Sequence, residues 1–269
     1  MPPPPREPDG GNMWDKEAEH YNRMAAMELT GTLNQIGCIP ITAEDTVLDA
    51  GCGPGRITCQ LAKIAKKVIA LDSSEGMMAK CRENIAKNGF TNVETILLDW
   101  NEAVPDVNVP KADIIIASRS VGFDDIRKFN SFARKYAALI GWANSPSLPD
   151  CSGKLFEGAI KDPFMQGRPP VFPRRNRNFS YNVQYNKIYD AGFEPNVNVV
   201  KDGFGKHFAS KEEAYDELIL LARDVDGVDR DVFKANVDKY LTPKDGGFDL
   251  WIETRSSVIW WEVDPVKFF

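Results

Sequence analysis

Apolar residues between Trp14 and Ile36 recur at spacings of three and four, as Trp14, Ala18, Tyr21, Met24 and Met27 and then Leu29, Leu33 and Ile36. This predicts one or two amphipathic helices. From Asp45 the pattern changes. Thr46-Val-Leu-Asp-Ala50 is a short strand run that ends in Gly51-Cys-Gly-Pro-Gly55, and Ile57 to Ile64 reads helical, a strand, glycine-rich turn and helix unit. The rhythm repeats as strand (Lys67 to Leu71), helix (Ser74 to Asn88) and strands (Val93 to Leu98 and Ala112 to Ala117). A helix from Asp125 to Tyr136 and a strand from Ala138 to Trp142 follow. Alternation with continuously apolar strands predicts a mostly parallel sheet with helices on both faces.

Residues 143–182 carry Pro146, Pro149, Pro163, Pro169, Pro170 and Pro173, so they read as an irregular insertion. Beyond them, Val183 to Tyr189 predicts a helix stopped by Gly192, and Asn196 to Lys201 a strand. Lys211 to Arg223 and Asp229 to Leu241 read as helices, and Ser256 to Val263 as a strongly β-prone closing strand. The start, Met1 to Asn12, is rich in Pro and Gly without periodicity and reads as a loose tail. The expected organisation is this tail (1–12) and one domain over 13–269. That domain comprises a helical lid (13–44), a core (45–142), the insertion (143–182) and an embellished C-terminal part (183–269).

Lys and Arg number 33 against 39 Asp and Glu, a net charge of -6, which disfavours electrostatic attraction to nucleic acid or anionic membrane. The five cysteines (Cys38, Cys52, Cys59, Cys81, Cys151) are odd in number and lack CxxC spacing, so neither a disulfide framework nor a zinc site is expected. No apolar run is long enough to span a bilayer, the start lacks a signal-peptide pattern, and a cytoplasmic protein without a membrane partner is expected.

Glycines at 51, 53 and 55 after a strand permit a tight turn, close backbone approach and a helix N-terminus aimed at a ligand. A dinucleotide fingerprint needs a third glycine where Arg56 stands, so the NAD(P) reading fails, and no nucleoside-triphosphate loop occurs. The segment Val47-Leu-Asp-Ala-Gly-Cys-Gly-Pro-Gly-Arg-Ile-Thr58 instead resembles the first motif of class I S-adenosylmethionine-dependent methyltransferases. The likeness continues in Ala70-Leu-Asp-Ser-Ser-Glu-Gly-Met-Met-Ala79, in Leu97-Leu-Asp-Trp100 and in Ala112-Asp-Ile-Ile-Ile-Ala-Ser-Arg-Ser120, in order at strand ends. Trp14 to Tyr21 resembles the helix that closes that family's cofactor pocket.

The resemblance implies a doubly wound, Rossmann-like α/β sheet of seven strands with the last one antiparallel, N-terminal helices over S-adenosylmethionine, and a C-terminal cap. By the same resemblance Asp49 orients the turn and the donor's amino group. Gly51, Cys52 and Gly53 border the methionine portion, and Asp72 holds the ribose. Ser73 and Met77 flank the adenosine, Asp99 and Trp100 lie at the base, Ser118 and Arg119 sit nearest the transferring methyl, and Tyr21 covers the pocket. An in-line attack on a sulfonium is catalysed largely by alignment, so no catalytic residue is assigned.

The expected acceptor is an O, N or S atom of a small metabolite, anionic ones included, with Arg119, Tyr181, Tyr185 and Asn186 as candidate contacts. Two other readings stand beside it. Arg168, Arg174, Arg175, Arg177 and Lys187 occur without an acid between Gln166 and Tyr189 and suit an RNA or protein methyltransferase. A non-catalytic S-adenosylmethionine-binding regulatory module is the other. The sequence assigns no oligomeric state.

Overall fold

The computed structural model describes residues 12–143, 148–160 and 180–264. Helices α1 (Met13–Ala26) and α2 (Leu29–Ile36) come first, and the Asn12 side chain caps α1 by accepting from the Trp14 amide at 3.1 Å. There follow β1 (Thr46–Ala50), α3 (Arg56–Leu61), β2 (Lys67–Asp72), α4 (Glu75–Lys87), β3 (Val93–Leu97) and β4 (Ala112–Ser118). Next are α5 (Ile126–Asn130), β5 (Ala133–Trp142), α6 (Leu148–Leu155), α7 (Tyr181–Asp190) and β6 (Asn196–Phe204). The chain ends through β7 (His207–Phe208), α8 (Lys211–Leu218), α9 (Arg230–Asp238), β8 (Leu241–Lys244), β9 (Gly247–Leu250) and β10 (Ile252–Glu262).

Seven strands form the main sheet in the order β3-β2-β1-β4-β5-β10-β6, with β10 antiparallel to both its neighbours and the other adjacent pairs parallel. The period-2 alternation of buried apolar side chains explains why both faces need cover. Leu48, Ile69, Ile115, Leu139 and Ile259 face one core with Phe129, Phe132 and Ile188. Their neighbours Val47, Val68, Ile114, Ile140 and Val258 face the other, with Ile36, Ile39, Ile57 and Leu61. Strand order reverses between β1 and β4, so the carboxyl ends of those two strands flank the crevice where open α/β sheets bind ligands.

The expected helix from Asp125 to Tyr136 is corrected: α5 ends at Asn130 and β5 already begins at Ala133. Phe129 and Phe132 are both fully buried, and Ala133 pairs with Ala112 of β4, so three more helical residues would cost the sheet its register. Between β5 and α7 the described residues include helix α6, whose Cys151 and Leu155 are buried, where only irregular chain was expected. The expected helix over 211–223 is α8 followed by a 3-10 turn at Ile219–Leu221.

A three-stranded sheet, β7-β9-β8, was not read from the sequence. Its strands are two to four residues long, yet the Asp245-Gly246 pair is a hairpin-turn signal, and both residues take left-handed φ, 48° and 81°. This sheet packs with α6, α8 and α9 into a third core, around Phe156, Phe208, Phe233 and Leu250, which Met24 and Met27 of the N-terminal segment join. The tail over 1–11 lies outside the described residues.

Candidate active site

The glycine turn is tied to the end of β2: the Gly51 and Cys52 amides both donate to the Leu71 carbonyl, at 2.7 and 2.9 Å. Gly51 and Gly53 sit at φ 71° and 56°, a region that side chains resist. A Cβ on Gly51 would lie 2.5 Å from Ser120 Cβ, so the chain after β4 folds directly over the turn. Ser120 is fixed there by its hydroxyl, which donates to the Ala50 carbonyl at 2.7 Å. A Cβ on Gly53 would meet only the Tyr21 ring, at 3.7 Å, which places α1 across the turn.

Two acids flank the turn. Asp49 is buried, accepts a hydrogen bond from the Thr58 hydroxyl at 2.6 Å, and has its pKa pushed up to about 6 by burial, against the opposing pull of Thr58 and Arg56. Asp72 ends β2 half-buried, its two oxygens accepting from the Gly53 amide (2.8 Å) and the Ser74 amide (2.9 Å). Burial raises its pKa, although those amides act in the other direction.

Helix α1 is fastened to the start of α4. Asp15 accepts from the Ser74 hydroxyl at 2.5 Å and the Gly76 amide at 3.0 Å, while Ser74 caps α4 by accepting from the Met77 amide. Ser73 is exposed and lies 3.5 Å from the Asn12 amide group, and Met77 is buried. Cys52 is buried among Ala70, Met78 and Cys81, which faces its thiol inward. Asp99 caps a 3-10 turn by accepting from Asn101 N at 2.8 Å. Trp100 packs into the main core, with ring centroids 4.9 Å from Phe132 and 5.9 Å from Phe129 and the Lys128 ammonium 5.3 Å away.

The end of β4 holds a cluster that the sequence reading found only in part. Arg119 stands at φ 57°, a strained conformation for a side-chain-bearing residue, and its guanidinium lies 5.0 Å from the Trp142 ring centroid. Its Nη2 donates to Glu28 Oε2 at 2.5 Å. Arg56, at the start of α3, donates to the Thr32 hydroxyl (2.5 Å), Gln35 Oε1 (3.0 Å) and Ser118 Oγ (2.7 Å), with its Nε 3.9 Å from Glu28 Oε1. Both arginine side chains and Glu28 are buried, at 8%, 7% and 2% exposure for Arg56, Arg119 and Glu28. Burial pulls the Arg56 guanidinium below its usual pKa and Arg119's charge adds to this. Burial acts the same way on Arg119, but Glu28 and other neighbours outweigh it and hold it up.

Glu28 and the role of Arg56 were missed. A lone glutamate before a helix carries no motif, although an apolar segment with one acid at its hinge is a usable signal. In sequence Arg56 stands out only as the residue that breaks the NAD fingerprint.

The acceptor candidates are not all brought together. Tyr181 packs on the main core alongside Val121 and Phe123 of the chain that follows Arg119. Tyr185 stacks on Tyr189 at 6.4 Å, and Asn186 is exposed on α7, so neither is placed against Arg119 among the described residues. Lys187 donates to the Phe123 carbonyl at 3.3 Å, whereas Arg168, Arg174, Arg175 and Arg177 lie outside the described residues. No group of three or more His, Cys, Asp or Glu among the described residues could hold a metal ion. No helix among them is long and apolar enough to cross a membrane.

Comparison with known proteins agrees with this arrangement. Residues 41–140, which hold the glycine turn, both flanking acids and Arg119, match a family described as a methyltransferase domain. An uncharacterized protein of Haemophilus influenzae is 27% identical over 270 residues, covering 94% of this chain and 90% of that protein. The 23S rRNA (uracil(1939)-C(5))-methyltransferase RlmD of Xanthomonas axonopodis is 27% identical over 95 residues, 33% of this chain but only 21% of that enzyme. Among solved structures, a SAM-dependent methyltransferase from Aquifex aeolicus shares the fold, with a TM-score of 0.50 at 16% identity over 93% of this chain and 98% of that one.

Proposed function

We propose that the chain, whose residues 41–140 match a family described as a methyltransferase domain, is a class I S-adenosylmethionine-dependent methyltransferase that transfers the methyl group to an O, N or S atom of a small metabolite. The observation that carries the reading is the pairing of Asp72 with the glycine turn. Its carboxylate is held by backbone amides at the crevice rim and stays partly exposed, which suits acceptance of ribose hydroxyls of the cofactor. S-adenosylmethionine, when bound, supplies an activated methyl group on a sulfonium.

The chain's own residues bind and orient. Gly53 gives close approach under Tyr21, Gly51 and Cys52 shape the turn, and Asp49 offers a buried negative charge beneath it. Ser73, Met77 and Asp99 border the adenosine. Trp100, already packed on Phe132, supports that wall from behind. Ser118, held by Arg56, and Arg119 form the floor at the end of β4, and Tyr181 lines the neighbouring wall. Tyr185 and Asn186 belong to the outer face of α7 in this reading.

Alignment of this kind supplies roughly 7 to 11 kcal/mol without a dedicated base. The acidic net charge of -6 favours a small acceptor over RNA, and the unit is a cytoplasmic one in this reading. Calorimetric titration with S-adenosylmethionine and S-adenosylhomocysteine, with NAD as control, tests it. Binding of the first two and not of NAD is expected, and a folded chain that binds neither would refute the assignment. Salt-dependent RNA binding by the cofactor-loaded chain would replace the small-molecule acceptor with RNA.

A further inference from the structure

Glu28 is the residue whose surroundings do not account for it. Its backbone occupies the position before α2 where a side chain ordinarily caps the helix, yet it makes no capping hydrogen bond and turns inward. There Oε2 is taken by Arg119, while Oε1 is buried without any hydrogen-bond partner, the Arg56 Nε at 3.9 Å being too far to donate. A buried carboxylate oxygen left unpaired is costly, and a site that persists with one requires an explanation. The nearby Asp202 shows the contrast: both its oxygens are satisfied, by the Gly203 amide, Gln35 and Ser256.

Arg119 is similarly half-used. The hydrogen bond from Nη2 to Glu28 is the one its guanidinium makes among the described residues, which leaves the Nε and Nη1 edge of a planar fork that matches a carboxylate. Trp142 covers one face of that fork, and the strained φ of 57° at Arg119 aims it from the end of β4. The cluster therefore holds a guanidinium with donors left over and a carboxylate with one unpaired oxygen, joined by a hydrogen bond and one residue beyond Ser118.

Resting on the reading above, we propose that Glu28 and Arg119 together bind the methyl acceptor, and that the acceptor carries a carboxylate beside its reacting N–H or O–H, as small amino acids and hydroxy acids do. Arg119 takes the carboxylate through Nε and Nη1, and Glu28 Oε1 accepts the hydrogen of the reacting group. On transfer the acceptor atom gains the methyl group and the electron pair of the S–CH3 bond stays on sulfur. The proton that the acceptor sheds passes to Glu28 Oε1, and Glu28 is then a neutral carboxylic acid beside Arg119. Arg56, bridging Ser118 and Gln35, positions the floor and does not touch the acceptor.

The test uses the full chain saturated with S-adenosylhomocysteine and four probes: glycine, glycolate, acetate and methylamine, each added up to about 50 mM. Nuclear magnetic resonance follows the Arg119 Nε–H and Trp142 Nε1–H signals, assigned with Arg119→Lys and Trp142→Phe. Saturable shifts are expected with the three carboxylates and not with methylamine. Glycine or glycolate should bind at least about threefold more tightly than acetate, and Glu28→Gln should abolish that advantage. The proposal is overturned if no carboxylate moves either signal in the unmodified chain, or if the advantage over acetate is absent there or survives Glu28→Gln. The unmodified chain alone decides the first two points if a variant fails to fold. Calorimetry on the same sample separates the two readings. S-adenosylhomocysteine binding with silent probes removes only this inference, while responsive probes without S-adenosylhomocysteine binding remove the methyltransferase assignment and leave an anion site.

Discussion

Replacing Asp72 by Ala removes the group that the cofactor reading depends on most, and its effects divide into two parts that can be measured separately. In the ligand-free chain the carboxylate holds the Gly53 and Ser74 amides at 2.8 and 2.9 Å, at a half-buried rim where water can replace it, so the stability loss should be about 1 to 2 kcal/mol. For the bound cofactor, hydrogen bonds from ribose hydroxyls to a charged acceptor are worth about 1.5 to 3 kcal/mol, or roughly a 10- to 150-fold weaker Kd. Calorimetry with S-adenosylhomocysteine gives the second figure and thermal denaturation the first. A 2′,3′-dideoxy form of that ligand closes a double-mutant cycle. It should bind the unmodified chain about as weakly as the parent binds the variant, and it should lose little more on Asp72→Ala. Two additive losses, or an unchanged Kd in a folded variant, would show that Asp72 only braces the turn and that the ribose is held elsewhere.

Three further predictions follow from the same geometry. Asp49 has a folded pKa of about 6 against an ordinary 3.8, so the folded chain keeps a proton that the unfolded chain releases. Stability should fall as pH rises from about 4 to 6, by at most about 3 kcal/mol, and level off above that. A cationic cofactor favours the ionised form, so its affinity should rise through the same window; titration at pH 5, 6 and 7 checks this, and Asp49→Asn should flatten the profile. Gly51→Ala puts a Cβ 2.5 Å from Ser120 Cβ at φ 71°, and should cost about 2 kcal/mol or more in chemical denaturation. Ser120→Gly should restore only the part due to the clash, and full restoration would remove backbone strain from the account. Burial lifts the Cys59 thiol to about 11 and Cys151 to about 12, and a hydrogen bond with Cys81, with burial after it, lifts Cys52, so a thiol reagent at pH 8 should label half-exposed Cys38 first and the four buried thiols only on unfolding. Equal native labelling of Cys52 would contradict the closed turn.

Local features were legible where one segment holds the whole cause. The run Thr46–Ala50 with its glycine turn, the strand that ends in Asp72, and the strand Ala112–Ser118 are specified by short-range pattern, and they appear in the structure at nearly the expected bounds. The antiparallel final strand could be placed by family likeness. Where causes are spread over the chain, the pattern misled: α5 stops at Asn130 because Ala133 pairs with Ala112, a constraint that no window around residue 130 contains. The β7-β9-β8 sheet was missed because such short strands carry little periodic signal, and their stability comes from packing on α6, α8 and α9.

The same division runs through the site. Glycines 51, 53 and 55, Asp49 and Asp72 declare themselves in sequence, since a tight turn needs glycine and a strand-end acid stands at a fixed spacing from it. The reason Gly51 must lack a Cβ was not visible, because Ser120 comes from 69 residues further on and meets it only once β1 and β4 are neighbours. Glu28, Arg56 and Arg119 come from three separate segments, each unremarkable alone. Folding buries them together at 2%, 8% and 7% exposure, and only in that low-dielectric setting does one unpaired carboxylate oxygen become a feature that asks for a ligand. The sequence by itself determined the first strands, the glycine turn and the acids that flank it, because those depend on neighbours in the chain. The tertiary structure decided which charges lie against the floor of the crevice, because burial and partnership are properties of the packed chain.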